Sequence, residues 1–359
     1  MADQQPLSSR GTWAVVGRIR AAISAGRYGT GQFLPPVREL SARHRVSAET
    51  VRRGLKVLEG EGLLASEPRQ GFRVRGRSAE AIGGRPLAYV TDHHRDLLDA
   101  QPANWALIEA FQQAAAVRGS AVLATPCGGQ SRPAVLDRLR AGHASGIVLD
   151  TLDPELVETI RQVGLPVVMV NSWWEDTEFD VVLQDNYRGG FLAAKHLVDS
   201  GCKTVAWVGP VGQFCHSRER FAGAVAALAA AGRRPAEPLS VDYQNEVLLT
   251  NVLDMLGRSD RPDGFLAFTS AGTVAVREAA IQQGLKLGTD VRMVGWIVEE
   301  FYSREHVPIF NGGPVPPAVV WKASSMAERA LALLAERRAG RAGEPVRVCV
   351  PTRLKFAEK

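Results

Sequence analysis

Cysteine and long apolar runs are both scarce in this chain of 359 residues. The four cysteines, Cys127, Cys202, Cys215 and Cys349, form no Cys-x-x-Cys pair and no zinc-like spacing, so we expect neither a metal site nor a structural disulfide. No run of 18 apolar residues occurs, which argues against a membrane-spanning helix. The opening MADQQPLSSRGTW contains no apolar segment typical of a secretion signal. We therefore expect a cytoplasmic globular chain with no membrane partner.

Basic residues are concentrated at one end of the chain. Residues 1–80 hold 14 Lys and Arg against 7 Asp and Glu, a net charge of +7. Residues 81–359 hold 29 against 31, a net charge of −2, so the overall excess of +5 comes entirely from the first fifth of the chain. A basic module joined to a nearly neutral domain is typical of proteins that bind nucleic acid, because Lys and Arg displace the counterions of phosphates.

Residues 34–75 have the pattern of a helix-turn-helix followed by a β-hairpin. Val37 and Leu40 share the apolar face of a first helix, and Ser47 is a suitable N-cap for the second. The apolar residues of the second helix recur at helical spacing and share one inward face, so the three basic residues of this helix point away from that face. Residues 63–67 and 72–75 are predicted strands. An exposed basic helix beside a basic hairpin tip suits a DNA major groove and its flanking phosphates.

In this order the residues resemble the GntR type of winged helix-turn-helix, from Val15 to Val74. The matching residues are Val15, Ile19, Ile23, Gly26, Gly31, Leu34-Pro35, Arg38-Glu39-Leu40, Val46-Ser47, Thr50-Val51-Arg52, Leu58-Glu59, Gly62-Leu63 and Gly71. The resemblance implies that Arg38 and Arg52 contact DNA and that Gly71 lets the wing approach the minor groove.

Two positions depart from that family. It usually has Arg where this chain has Ala48, and it favours Ala where this chain has Gly54. We therefore expect Glu49, Thr50 and Arg53 to carry more of the base recognition. The full set of predicted DNA-contacting residues is Arg38, Ser47, Glu49, Thr50, Arg52, Arg53, Lys56, Arg69, Gln70, Gly71 and Arg73. Taken one at a time, each cation also fits a solvated charged helix or a plain hairpin.

Beyond a linker predicted over residues 77–86, short apolar runs alternate with amphipathic segments. The predicted strands cover residues 87–91, 121–125, 146–149, 166–170, 180–183, 204–208, 264–268 and 292–296. The predicted helices cover residues 105–118, 133–140, 154–163, 186–200, 218–231, 248–256, 273–283 and 318–338. This alternation predicts a parallel, doubly wound α/β arrangement, long enough for two lobes around a closable cleft.

A second resemblance lies in this region. Its residues are Asp185-Asn186, Gly189-Gly190, Ala194, His196-Leu197, Gly201, Thr204-Val205-Ala206, Gly209, Arg218, Arg220, Gly223 and Ala227-Leu228, with weaker matches at Pro262-Asp263, Val294-Gly295-Trp296 and Met326. They resemble the effector domain of the LacI/GalR family, which has the periplasmic-binding-protein type I fold. The match covers about residues 87–356, and the combination is similar to the arabinose-responsive regulators of bacteria.

The resemblance places the effector site at Arg220, whose guanidinium can grip a hydroxyl pair or a carboxylate through two hydrogen bonds. The family's Asn-Asp pair is replaced by Thr269-Ser270, and its later Asp by Ile297. Sugars need such groups to satisfy buried hydroxyls, so a typical hexose or pentose is less expected than the fold alone suggests.

Other residues are candidates for lining the same site. Trp173, Trp174 and Trp296 could stack on a ligand ring, although core packing explains each equally well. His93 follows the first strand and could contact the ligand, although a polar surface position explains it as well. Glu299-Glu300 is predicted to be a solvated face. The candidate effector residues are Arg220, Trp296, Thr269, Ser270, Trp173, Trp174 and His93. The effector would be a carbohydrate or a related polar metabolite.

No enzyme is expected, because no GxSxG, HExxH, Walker A or GxGxxG pattern occurs in a strand-loop-helix setting. A pyridoxal-phosphate aminotransferase-like C-terminal part would need a larger domain and a Lys after a strand. Lys195, Lys203 and Lys286 lie instead in predicted helices or turns. We therefore expect no cofactor.

The sequence thus predicts a transcriptional regulator, specifically a repressor, that binds a palindromic double-stranded DNA operator as a homodimer under the control of a small effector. The predicted domains are a flexible N-terminus over residues 1–11, a winged helix-turn-helix over 12–76, the linker, and an effector-binding and dimerisation domain over 87–359. The alternative is a C-terminal domain that serves only as a ligand-independent dimerisation scaffold.

Overall fold

The computed structural model describes most of the chain, and its described residues form two compact units. The described residues are 15–16, 18–19, 22–23, 27–29, 31–60, 64–67, 70–74, 85–92, 102–174, 176–211, 214–233, 245–267 and 269–357. One unit comprises residues 1–148 and 155–166, and the other residues 149–154 and 167–359. No helix in the described ranges combines the length and low polarity of a membrane span.

The first unit begins with the predicted helix-turn-helix and its hairpin. Helix α1 spans Val37–His44, helix α2 Ala48–Gly60, strand β1 Leu64–Glu67 and strand β2 Gly71–Val74, with β1 and β2 antiparallel. These elements enclose one small core, because the apolar residues of all of them are buried together. Its buried members are Val15, Val16, Ile19, Leu34, Leu40, Val51, Leu55, Leu58, Leu64 and Val74. The winged helix-turn-helix is therefore confirmed as a fold.

The rest of the first unit is α/β. Its elements are β3 Leu87–Thr91, α3 Pro102–Val117, β4 Val122–Pro126, α4 Arg132–Ala141, the start of β5 Ile147–Asp150, and most of α5 Pro154–Arg161. Strands β3 and β4 are parallel, with Leu87 opposite Val122. The strand order within this unit is β5-β3-β4. All five residues of β3 are buried, as expected of a parallel strand covered on both faces.

The second unit holds two groups of mainly parallel strands with helices between them. Its main elements are β6 Val167–Val170, β7 Asp180–Gln184, α6 Asn186–Asp199, β8 Val205–Val208, α7 Cys215–Ala230, α8 Asn245–Leu256, β9 Gly264–Ala267, α9 Ser270–Gln282, β10 Arg292–Val298, β11 Ala318–Trp321, α10 Ala323–Arg338, β12 Arg347–Val350 and β13 Arg353–Lys355, with short helical turns between β10 and β11. The strand orders are β12-β7-β6 and β13-β11-β10-β9-β8. Among the strands described for this unit, β13 alone runs antiparallel to its neighbour, β11.

Three sequence predictions for this unit were incomplete or wrong. Residues 318–321 were assigned to a helix, but they form the fully buried strand β11, and the helix begins at Ala323. The short strands β12 and β13 were not predicted. A four-residue apolar run before a helix carries no periodicity that separates strand from helix, which explains the first error.

Glu299-Glu300 was predicted to be a solvated face, and the structure shows Glu300 exposed but Glu299 half-buried. The carboxylate of Glu300 accepts hydrogen bonds from the backbone N–H groups of Ala323 and Ser324, at 3.2 and 3.1 Å. It therefore caps the N-terminus of α10, where four N–H groups lack partners in the helix.

Candidate DNA-binding surface and effector site

Helix α2 presents a charged outer face that its own sequence builds. The Ser47 hydroxyl accepts a hydrogen bond from the backbone N–H of Thr50 at 3.1 Å, so the predicted N-cap is present. Val51, Leu55 and Leu58 are buried on the inner face. Arg52, Arg53 and Lys56 are exposed on the outer face, as the periodicity predicts.

The exposed cations of this face are paired with carboxylates in the free protein. Glu49 lies 3.6 Å from Arg52 and 3.3 Å from Arg53, and Lys56 lies 2.6 Å from Glu59. On the hairpin, Arg73 lies 2.5 Å from Glu67. Exposed pairs of this kind contribute little to stability, so DNA phosphates can replace the carboxylates at small cost.

The hairpin lies beside α2. The ammonium group of Lys56 is 5.9 Å from the ring centroid of Phe72, which joins helix and hairpin into one surface. Gly71 has a φ of +106°, a conformation that side chains rarely adopt, and it is exposed at the hairpin turn next to Gln70. Arg69, another predicted contact, lies outside the described residues.

The positive character of this domain is also visible at His44. Partial burial lowers the pKa of His44, and the charges of Arg18, Arg43 and Arg27 lower it further. The imidazole is therefore neutral at physiological pH, because a further positive charge is unfavourable among these arginines.

In the second unit, the structure brings Arg220 and Trp296 together. The guanidinium carbon of Arg220 lies 3.7 Å from the centroid of the Trp296 ring. Its Nε donates a hydrogen bond to Oδ1 of Asn186 at 2.8 Å, and Arg220 is only 7% exposed. Both side chains line a small pocket that opens partly to solvent. The other lining residues are Gly190, Ala193, Trp207, Leu266, Ala267, Val294 and Gly295.

Glycines make this approach feasible. A Cβ on Gly190 would lie 1.9 Å from the carbonyl oxygen of Arg220, and one on Gly223 would lie 1.9 Å from that of Tyr187. Helices α6 and α7 therefore pack backbone against backbone. A Cβ on Gly189 would lie 2.4 Å from the Trp296 ring, so this glycine makes room for the indole.

Trp173 joins the same region through Glu219. The Glu219 carboxylate accepts hydrogen bonds from the Trp173 indole at 3.1 Å and from the side-chain amide of Asn186 at 3.2 Å. It also pairs with Arg347, whose guanidinium lies 4.3 Å from the Trp173 ring centroid. Trp173 and Arg220 are thus linked through Glu219 and Asn186.

His216 adds a neutral aromatic group near Arg220. Removal of the imidazole from water lowers its pKa to about 3, with a further contribution from the positive charge of Arg220. The ring stacks on Phe214, with centroids 5.6 Å apart and planes 7° from parallel. His216 therefore adds no charge to the site at neutral pH.

Thr269 and Ser270 lie at the N-terminus of α9. The Thr269 hydroxyl accepts a hydrogen bond from the N–H of Gly272 at 3.1 Å and so caps α9, and Ser270 is exposed in the first turn of that helix. The backbone N–H of Trp174 donates to the hydroxyl of Thr177 at 2.8 Å. None of these three residues is among those that line the pocket beside Arg220. His93 lies outside the described residues.

The sequence reading missed three polar residues at the carboxyl ends of strands, which we call the polar row: Asp150, Asn171 and Gln184. The Asn171 amide donates to both Asp150 carboxylate oxygens, at 3.2 and 3.3 Å, and the Gln184 amide donates to Oδ1 of Asn171 at 2.7 Å. Gln184 is only 3% exposed, yet its Oε1 is buried without a hydrogen-bond partner in the described part of the chain.

Asn171 also has a φ of +67°, in the left-handed region that asparagine adopts more readily than most residues with a side chain. The unsatisfied buried oxygen of Gln184 calls for an explanation beyond packing. The signal in the sequence was a polar residue at or just after each of three predicted strands.

Comparison with known proteins agrees with both halves of this description. Residues 12–74 match the family model of bacterial regulatory proteins of the gntR family, and residues 194–356 match that of a periplasmic binding protein-like domain. The chain therefore contains a gntR-type helix-turn-helix and a periplasmic binding protein-like domain.

Known bacterial regulators are similar to this protein over most of its length, and two of them illustrate this. An arabinose metabolism transcriptional repressor of Geobacillus stearothermophilus is 21% identical over 77% of this chain and 79% of its own length. The transcriptional regulator CelR of Thermobifida fusca is 24% identical over 96% of both chains.

Solved structures confirm the fold. A complex of the transcriptional regulator CelR with cellobiose superposes with a TM-score of 0.67 at 20% identity, covering 90% of this chain and 99% of that one. The transcription regulator CcpA of Lactococcus lactis has a TM-score of 0.63 at 17% identity, covering 76% of this chain and 98% of that one. The predicted fold class, a winged helix-turn-helix followed by a parallel α/β domain of the periplasmic-binding-protein type, is confirmed.

Proposed function

From a chain that joins a gntR-type helix-turn-helix to a periplasmic binding protein-like domain, we propose a transcriptional repressor whose operator binding is controlled by a small effector. The observation that carries the proposal is the capped, exposed basic helix α2 beside its hairpin, fused to a domain that holds a buried arginine in a pocket. The similar proteins are themselves a repressor and a regulator, which supports this combination.

We propose that α2 enters the major groove and that the hairpin follows the neighbouring backbone. Arg52 and Lys56 are one helical turn apart on the exposed side and supply charge toward phosphates. Glu49 and Thr50 lie in the first turn, where residues of a recognition helix reach base edges.

The effector is proposed to bind between Arg220 and polar groups of the same domain. Arg220 supplies two or more N–H donors toward oxygen atoms of a ligand. The polar row supplies the acceptor groups that Thr269, Ser270 and Ile297 do not, because a hydroxyl of the ligand could satisfy Oε1 of Gln184. This assignment favours a neutral or weakly acidic polyhydroxyl compound, and the cellobiose complex of CelR supports a carbohydrate.

We further propose that the chain works as a homodimer on a palindromic operator. A two-fold axis requires two half-sites spaced by about one helical turn of DNA. The effector would act only through a difference in its affinity for the DNA-competent and incompetent arrangements, so tight binding alone would not make an inducer.

The DNA half of the proposal is tested by selecting duplexes from a random library with the full-length chain. The selected sequences are expected to contain an inverted repeat, and Arg52→Ala is expected to weaken binding and to reduce the slope of log K against log salt by about 0.9. Arg258→Ala, which changes an exposed cation just after α8, is the matched control and is expected to bind as the unaltered chain does. Selection of no sequence would contradict the proposal.

The effector half is tested by thermal unfolding of the full-length chain with sugars, sugar acids, polyols, nucleosides and amino acids. A ligand at about 100 times its Kd adds roughly 2.7 kcal/mol, enough to raise Tm by several degrees. Arg220→Ala should abolish the shift and Gln184→Leu should reduce it. If no compound raises Tm while DNA binding is intact, the ligand-independent dimerisation scaffold is the better description.

A further inference from the structure

Arg45 has an unusual backbone conformation for an arginine. It lies between α1 and α2 with φ and ψ of 53° and 44°, in the left-handed region. Its N–H donates to the carbonyl of Ala42 at 3.3 Å, the next N–H donates to Ser41 at 3.2 Å, and the Ser41 hydroxyl donates back to Val46. The turn thus requires this conformation of whatever residue stands at position 45, and glycine would adopt it with least strain.

The side chain of Arg45 makes no polar contact in the described part of the chain that would offset this backbone strain. It is exposed, and within the described residues it makes no hydrogen bond or ion pair. Nearby cations behave differently, since Arg43 lies 2.8 Å from Glu39 and Arg52, Arg53 and Lys56 are each paired within α2. A strained residue with no structural partner points to a function for its side chain.

Arg38, within α1, is likewise exposed and without a partner in the described part of the chain. It lies in the first turn of the helix, and Arg45 follows the last. Seven residues at 1.5 Å each separate the two by about 10 Å along the helix axis. In a helix-turn-helix this first helix crosses the DNA backbone, so its two ends approach different phosphates.

We propose that Arg45 is a DNA phosphate contact, and that together with Arg38 it anchors the two ends of α1 on the DNA backbone. This inference rests on the proposed DNA-binding function and adds a contact that the sequence pattern did not identify. The contact is independent of base sequence, because a guanidinium recognises phosphate oxygens without reading bases.

The test is Arg45→Gly in the full-length chain, because this substitution should raise the stability of the protein while it lowers the affinity for DNA. Thermal unfolding should show a Tm roughly 2–4 °C higher for the variant, since glycine removes the left-handed strain. Fluorescence anisotropy with a mixed-sequence 30-bp duplex should show weaker binding. The loss of affinity between 50 and 200 mM KCl should be roughly three- to fourfold smaller than in the unaltered chain, which corresponds to one phosphate contact.

His143→Gly is the matched control, because His143 is an exposed residue of similar φ, 48°, in the turn after α4. It should raise Tm without changing DNA affinity, and Arg45→Lys should keep most of the affinity. Equal affinity and equal salt dependence for Arg45→Gly and the unaltered chain would overturn the assignment of Arg45 while leaving the proposed function intact. Failure of the unaltered chain to bind any duplex would overturn both.

Discussion

The guanidinium of Arg220 stacks on the indole of Trp296 at 3.7 Å, and the same guanidinium donates to Asn186. The pair joins α7 to β10 and forms one wall of the pocket. In the free protein Trp296 therefore covers a face of the arginine that a ligand would use. An effector must either stack against this pair or displace the indole.

Trp296→Ala is expected to lower the free energy of unfolding by about 3 kcal/mol, because it removes ring packing and the contact with Arg220. Trp296→Phe should cost about 1 kcal/mol, since it keeps an aromatic ring and the indole N–H has no partner among the described residues to lose. Urea unfolding measures both. Equal losses in the two variants would show that the ring face contributes no packing.

Gly190→Ala tests the close approach of α6 and α7. Alanine normally favours a helix over glycine by about 1 kcal/mol, so a surface position would gain stability. Here the added Cβ would meet the Arg220 carbonyl at 1.9 Å, and a net loss of about 3 kcal/mol is expected. Gly257→Ala is the control, because its Cβ would be at an ordinary contact distance of 3.4 Å. Denaturant unfolding measures the free energy of unfolding of both variants. No loss of stability in Gly190→Ala would contradict the close approach of α6 and α7.

Asp180 predicts a pH dependence of stability. Its side chain is fully buried at the start of β7, and it pairs with Arg337 at 2.8 Å, with Arg341, and with the N–H of Val346 at 2.9 Å. Burial alone would raise the pKa of Asp180, but the hydrogen bonds from Arg337, Val346 and Arg341 hold it below its ordinary value. A depressed folded-state pKa contributes stability above the unfolded value, 3.8, which is lost as the pH falls through the lower folded value.

Asp180→Asn should therefore destabilise the protein at pH 7 by about 3 kcal/mol, because it leaves two arginines without their buried partner. The difference from the unaltered chain should shrink below about pH 4, where Asp180 itself becomes protonated. Urea midpoints across this pH range measure it. A difference that is constant with pH would mean that the charge of Asp180 is not what holds α10 to β7.

Glu49 separates electrostatic binding from base recognition. Glu49→Gln removes a negative charge from the DNA-facing side and releases Arg52 and Arg53, so a mixed-sequence duplex should bind several-fold tighter at low salt. A duplex selected from the random library should bind more weakly if Glu49 accepts a hydrogen bond from cytosine. Glu328→Gln, on the exposed side of α10, should change neither affinity. Unchanged binding of both duplexes by Glu49→Gln would remove Glu49 from the interface.

The DNA-binding module was predictable from the sequence in nearly every described element. Its helices are short and periodic, and Ser47 caps the second one, so residue spacing identifies them without tertiary information. The signal that was missed was the conformation of Arg45, because a positive φ at a residue other than glycine leaves no trace in a sequence pattern.

The α/β domain was predictable in its alternation but not in its site. All eight predicted strands agree with described strands to within two residues at either end, and 292–296 extends to Val298. Strands β11 to β13 were missed because short strands are selected by their neighbours in the sheet rather than by local sequence. Thr269 and Ser270 were assigned to the site from their place in a family pattern, yet Thr269 caps a helix and Ser270 lies on its exposed first turn.

The sequence by itself determined the two-module organisation, the position of the basic helix and the identity of Arg220 as a candidate, because these depend on local periodicity, charge and motif spacing. Only the tertiary structure decided what surrounds Arg220 and what forms the polar row. Asp150, Asn171 and Gln184 come together from three strands, and Arg220 meets Trp296 across 76 residues of chain. Such contacts depend on how helices and sheets pack, and glycines that admit a neighbouring backbone determine that packing as much as the functional side chains do.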